Sequence, residues 1–236
     1  MKINIHQPNY LPGLSYFAKM ALADVFVVLD TVQFSKNNWT NRNRIKGPNG
    51  AQWLTVPVLT KGKLGCPIKE MEVNSTVNWE LKHWRAIQTN YARSPYYSEM
   101  VSHFEAIYKR TWTNICDLNV ILLRLVAEIL GIKTKILLAS EMQMEEAAHS
   151  SELLFHLCQS IGGTEYISGP GGKNYLNENI FNQGGIQVTY IDYNDPVYHQ
   201  LWGEFISKLS ILDLLMNEGQ HSFNILMTGA VAQTRV

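Results

Sequence analysis

The sequence predicts an α/β fold, Rossmann-like, with a mostly parallel sheet and a helical insertion or subdomain at about residues 79–131. Three observations carry that expectation. The chain opens strand, loop, helix, strand within about 30 residues, the spacing of a βαβ unit. Short apolar runs alternate with helical periodicity again over residues 135–193. Between these two regions the pattern is helical only, which sets a helical block inside an alternating chain.

The elements follow in order. Residues Lys2–His6 read as a strand, and Pro8 and Pro12 break the chain over 7–13. Residues 14–23 read as a helix with Leu14, Phe17, Ala18 and Ala21 on one face. Residues 24–30 are a nearly continuous apolar run between Asp24 and Asp30, which suits a strand covered on both faces. Asp24 begins that strand and is assigned a structural role at the edge opposite Asp30. Residues 31–50 are polar and rich in Asn, without an apolar period; they read as a long functional loop or as a hairpin closing at Pro48-Asn49-Gly50. Residues 52–59 read as a strand interrupted by Pro57, hence an edge or a strand end, and 68–74 as a further strand. Helices are expected at 79–90, 97–111 and 117–130, the last stopped by Gly131. A strand at Lys135–Leu138, a helix at 150–161 stopped by Gly162-Gly163, and strands at Glu165–Ser168 and 186–193 complete the alternation. The segment from Ile211 onward reads as helix towards the C-terminus.

Composition narrows the function classes. Of 236 residues, 20 are Lys or Arg and 20 are Asp or Glu, so the formal charge of zero disfavours a protein that coats nucleic acid. Apolar residues at 46% exclude a largely disordered chain. The three cysteines, Cys66, Cys116 and Cys158, are widely spaced, which supports neither a disulfide framework nor a zinc ribbon. No signal peptide or membrane span is expected, and the expected location is the cytoplasm. His83, His103, His149, His156 and His221 lack ligand spacing and read as ordinary histidines, so no metal site is expected. No G-x-G-x-x-G, G-x-S-x-G or H-E-x-x-H occurs, which withdraws support from dinucleotide oxidoreductases, α/β-hydrolases and zinc proteases.

Three stretches carry candidate chemistry. His6 ends the first strand, with Gln7, Asn9 and Tyr10 in the following loop, and ligands of open α/β sheets bind outside carboxyl strand ends. Asp30 closes the second strand at the same edge, so either His6 or Asp30 could serve as a base; the bland reading of each is a local backbone contact. Residues 36–46 interleave Lys36, Trp39, Asn41, Arg42 and Arg44, where guanidinium forks suit phosphate and the indole offers a stacking face. The competing reading there is a solvated loop. Ser168, Gly169 and Lys173 follow a strand in a glycine-rich turn where backbone N–H groups can approach an anion, although Walker A spacing fails. A fourth feature, Ser210 with Asp213 three residues on, reads as a capping box at a helix start. The expectation tying these together is that the stretches near 6–10, 36–46 and 168–173 line one cavity.

The residues HQPNYLPGLSYFAKMALADVFVVLDTVQFSKNNWTNRNRIK at 6–46, with WLTVPV at 53–58, YISGPGGKNYL at 166–176 and LSILDLLMNEG at 209–219, resemble the WbqC-like family over almost the whole chain. The sequence departs at 13–17, where it reads Gly-Leu-Ser-Tyr-Phe against a Trp-Leu-Gly-Tyr-Phe type of stretch, removing one aromatic beside the loop. The resemblance implies a single domain and an association with O-antigen, that is lipopolysaccharide, biosynthesis. The activity it implies is transfer of an amino acid, notably glycine, to an amino sugar, and it assigns no catalytic residue. The reading is thus a transferase acting on the amine of a nucleotide-linked sugar, with ATP or an aminoacyl donor as the open cofactor. Two alternatives stay open: an amino-acid transferase acting on a modified base in DNA, and a non-catalytic nucleotide-sugar binding module. Nucleic acid as a partner, whether modified DNA or aminoacyl-tRNA, is not favoured.

Overall fold

A computed structural model describes residues 1–63, 65–142 and 150–232; His149 lies outside the described residues. Strand β1 (Lys2–His6) leads through a two-proline loop into helix α1 (Leu14–Ala21) and strand β2 (Val25–Val28). Strands β3 (Arg42–Gly47) and β4 (Gly50–Thr55) form an antiparallel hairpin apart from the main sheet, closed by Pro48 and Asn49 with Gly47 opposite Gly50. Gly50 sits at φ +95°, a conformation open to glycine and strained for other residues. Helices α2 (Trp79–Tyr91), α3 (Tyr97–Tyr108) and α4 (Ile115–Ile129) make the helical block. Then follow β5 (Lys135–Leu138), α5 (Ser150–Ser160), β6 (Glu165–Ser168), α6 (Glu178–Gln183), β7 (Gln187–Tyr193), α7 (Ile211–Glu218), α8 (Ser222–Thr228) and β8 (Ala230–Ala232).

The main sheet runs β5-β2-β1-β6-β7-β8, all neighbours parallel except the β7–β8 pair at the edge. Counting only these strands, the order is that of a Rossmann sheet, with the strand order reversing between β1 and β6 while the two strands stay parallel. The pleat sends Ile3, Ile5, Val25 and Val27 to the face covered by α5 and α6. Phe26 and Val28 point to the other face, into a larger core shared with α1 and the helical block. The helices of residues 79–129 therefore have no separate core: Trp79, Ile87, Phe104 and Leu123 pack in the same cluster as Phe26 and Val28. Asp24 accepts the Lys2 amide at 2.7 Å and tethers the start of β1.

Two expectations need correction. Residues 68–74 are not a strand: Ile68–Glu70 is a 3₁₀ turn, and Glu72 and Val73 make only isolated bridges to Asn114 and Val58. The apolar spacing that looked strand-like is met by burying Ile68, Met71 and Val73 within turns and bridges. The C-terminal helix also ends early, because Gly219 at φ +50° lies against the Tyr96 ring and interrupts it; the chain resumes as α8 and closes as β8.

One buried side chain bridges the loops leaving β1 and β2, beside a direct bond from the Tyr10 amide to the Trp39 carbonyl. Asn119 on α4 donates from Nδ2 to the carbonyls of Pro8 and Thr40, each at 2.8 Å. Replacing Asn119 with Ala should leave both acceptors unpaired and cost about 3 kcal/mol, read as a lower urea midpoint at unchanged slope. Asn119→Asp, which keeps the size and cannot donate, should fall to a similar midpoint.

Candidate functional site

The carboxyl ends of β1 and β6 open onto a cavity of about 360 Å³ whose lining includes His6, Asn9, Lys19, Trp39, Pro170 and Lys208. A second cavity of about 330 Å³ lies beside it, lined by Gln7, Leu29, Leu154, Tyr166 and Tyr175 among others, and His6 borders both. Position follows from topology, since the crevice at a strand-order reversal is where such sheets leave room.

His6 is the half-buried last residue of β1, with its ring 4.5 Å from that of Tyr16. Burial, reinforced by the nearby Lys19 charge, lowers its pKa to about 3 despite a hydrogen bond to the Gln7 carbonyl, so the ring is neutral near pH 7. That carbonyl, 3.2 Å from Nδ1, can only accept, so Nδ1 carries the proton and Nε2 keeps a lone pair. The Tyr16 hydroxyl donates to the same carbonyl at 2.9 Å and fixes it. Lys19, on α1, makes no hydrogen bond or ion pair among the described residues, and burial lowers its pKa to about 8. A side chain at Gly169 would come within 3.1 Å of Lys19 Nζ, so the glycine leaves the space that the ammonium fills. Lys208 stands at φ +57°, its amide bonded to Asp195 at 3.1 Å and its carbonyl to Arg44 at 3.1 Å.

The three sequence stretches meet here in part. His6 and Asn9, Trp39, and Pro170 line the first cavity, and Gln7 lines the second. Asp30 lines neither: its carboxylate is taken by the Ser140 amide at 3.0 Å and the Ser140 hydroxyl at 2.5 Å. Tyr10 is fully buried, its hydroxyl 2.6 Å from that of Tyr108 and 2.9 Å from His83 Nδ1. Asn38, Asn41 and Asn43 serve the backbone, Asn38 accepting from the Trp39 amide at 2.7 Å. Asn41 donates to the Val56 carbonyl at 3.0 Å and Asn43 to the Leu11 carbonyl at 2.6 Å, the latter steadying Leu11 at φ +42°. Arg42 and Arg44 lie over the Trp53 ring at 4.5 and 5.6 Å, Lys36 is exposed, and Lys173 stands 5.2 Å over Tyr190. Ser168 is buried and donates to the Gly169 carbonyl at 3.2 Å. Ser210 caps α7 as expected, but Asp213 does not complete a capping box; it is buried and accepts from Tyr91 and Tyr198, each at 2.9 Å. Among the described residues no group of three His, Cys, Asp or Glu is placed to hold a metal ion.

A family model described as the WbqC-like protein family matches residues 7–225. The chain belongs to the WbqC-like family. The match takes in the β1 loop, the hairpin, the helical block and α7, so the cavity is built almost wholly from residues of the WbqC-like region. The chain is also 41% identical over 220 residues, 92% of its length and 94% of the other, to uncharacterized protein Rv1507c of Mycobacterium tuberculosis (strain ATCC 25618 / H37Rv). No solved structure matches significantly.

Sequence reasoning passed over Lys19 and Asp195, and it met Lys208 only as the residue before a helix start. A lysine on a short amphipathic helix reads as solvated, and residues 194–207 carry neither period nor motif. The available signal for Lys19 was its place on the first helix of the βαβ unit, beside the crevice.

The buried histidines set an acid-side dependence. His83 is lowered to about 4 by burial, although it also bonds to the Thr55 backbone. Below about pH 6.5 the unfolded chain protonates these histidines while the folded chain does not, so stability falls as pH falls from about 6.5 towards 4. His83→Gln should remove up to about 1.4 kcal/mol per pH unit of that slope, measured from urea midpoints between pH 7 and 5.

Proposed function

We propose that the chain is a transferase that joins a small acyl group, glycyl for preference, to the amine of a nucleotide-linked amino sugar. The observation that carries this reading is the neutral His6, its Nε2 lone pair available, in a cavity that also holds the Lys19 ammonium, unpaired among the described residues. Family membership supports it at the coarser level.

In this reading the sugar amine enters unprotonated and donates a hydrogen bond to His6 Nε2, which aims the nitrogen lone pair at the acyl carbon. The C–N bond forms, the bond from the acyl carbon to its carrier breaks, and the carrier leaves with the electron pair. The nitrogen proton passes through His6 to the departing carrier. Lys19 and Lys208 hold the phosphates. A bound phosphate neutralises the Lys19 charge that helps depress His6, so substrate binding strengthens the base. The geometry favours His6 over Asp30, whose oxygens are engaged by Ser140. The donor is an aminoacyl-tRNA or an amino acid activated by ATP. We place the reaction in the cytoplasm, where the free thiols of Cys66, Cys116 and Cys158 persist.

The test is incubation with nucleotide-linked amino sugars and glycine, supplied with ATP or as glycyl-tRNA, with product read by mass spectrometry. A glycylated sugar nucleotide is expected, and His6→Ala should lower turnover by about 100-fold or more at unchanged fold. Absence of product with both donors, or unaltered turnover in His6→Ala, overturns the reading. Lys19 is charged below about pH 8 and loses its proton above it, so pyrophosphate affinity should fall as pH rises from 7 to 9.5. Lys19→Ala should bind weakly at every pH and flatten that profile.

A further inference from the structure

The hairpin carries a surface that the proposed reaction does not use. Its register sets Arg44 opposite Trp53 and Arg42 opposite Thr55, so Arg42, Arg44 and Trp53 share one face. Trp53 is 45% exposed and Trp39 43% exposed, and their rings stand 5.8 Å apart at 35°. The Arg42 guanidinium lies 4.5 Å from the Trp53 ring centre. Trp39 also lines the first cavity, so this surface is continuous with the cavity mouth.

The residue types restrict the occupant. Two adjoining indoles offer flat π-faces, and guanidiniums add positive charge that stacks in the same plane. A neutral sugar needs no such charge, and an apolar peptide has no use for two guanidiniums. A flat, electron-rich ring joined to phosphate satisfies both features. We infer that Trp39 and Trp53, with Arg42, form a stacking subsite for the base of a nucleotide whose phosphates lie in the cavity beside Lys19. This rests on the cavity reading above for the phosphates and adds where the base is held and which residues select it.

The test is calorimetric binding of UDP, dTDP, GDP, ADP and inorganic pyrophosphate to the intact chain. At least one nucleotide should bind about tenfold or more tighter than pyrophosphate, the gain expected of one stacked base. Trp53→Ala should bring that nucleotide down to the pyrophosphate level and leave pyrophosphate itself unchanged, while Trp53→Phe should restore most of the difference. Arg42→Lys, which keeps the charge and loses the planar stack, should give a partial loss. Wild-type nucleotide affinity in both Trp39→Ala and Trp53→Ala overturns the subsite and leaves the cavity reading standing. Pyrophosphate binding with no nucleotide preference does the same. Failure of every probe to bind removes both. Tighter binding of oligothymidylate than of dTDP, falling steeply with salt, overturns the mononucleotide assignment in favour of a strand-binding face.

Discussion

The site depends on how the loop after β1 is held. Pro8 and Pro12 remove two backbone donors from residues 7–13, so its carbonyls must find donors elsewhere. Asn119 supplies one for Pro8, Asn43 one for Leu11, and the Ile211 amide one for Pro12. The Tyr10 amide donates in turn to the Trp39 carbonyl at 2.9 Å. Helix α4, the hairpin and the start of α7, far apart in sequence, therefore converge on seven residues. That convergence sets Asn9 and Trp39 in one wall and keeps the crevice beyond β1 open.

Charge within the crevice is unbalanced on purpose of position rather than by composition. The chain as a whole is neutral, yet the cavity holds Lys19 and Lys208 against a single carboxylate, Asp195. Burial disfavours the Lys19 ammonium, and no carboxylate compensates it among the described residues. A depressed lysine is a cost to folding at neutral pH, and such costs gather where a ligand is to relieve them. An anion reverses the sign of the field there: it restores the lysine charge and removes part of what holds His6 down.

What the sequence made legible tracks how local the cause is. The βαβ unit was readable because β1 and β2 are apolar runs with a periodic helix between them, and a hairpin closing at Pro48-Asn49-Gly50 was one of the two readings that residues 31–50 left open. His6 was readable as a strand end at the crevice. The roles of Asn41, Asn43 and Asp213 were not, because each satisfies a group at least a dozen residues away: Val56, Leu11 and Tyr91. Arg42 and Arg44 looked like phosphate clamps for the same reason, since their partner Trp53 becomes visible only once the register of β3 and β4 is known. Trp53 lies in a strand that the sequence showed without showing its faces; the pleat turns Leu54 inward and Trp53 out.

The hairpin that presents those groups is too small to stand alone, since two strands without a covering layer are marginal in water. It is fixed from its buried side and from its tip. The Lys46 amide donates to the Tyr91 hydroxyl at 3.1 Å, and Tyr91 donates onward to Asp213. Lys46 Nζ, fully buried, donates to the Glu204 carbonyl at 2.5 Å. Asn90 donates to Gln52 at 3.0 Å, and its own side chain fills the space that a Cβ at Gly47 would need. Burial alone drives the Asp213 carboxyl up, while Tyr198, Tyr91 and the Lys46 charge pull it back towards its ionised form. Anchors at this density leave the hairpin little freedom to swing, so Arg42, Arg44 and Trp53 keep a fixed bearing on Trp39 and the cavity mouth. A ring that stacks there meets a surface already in place and loses little free energy in ordering it.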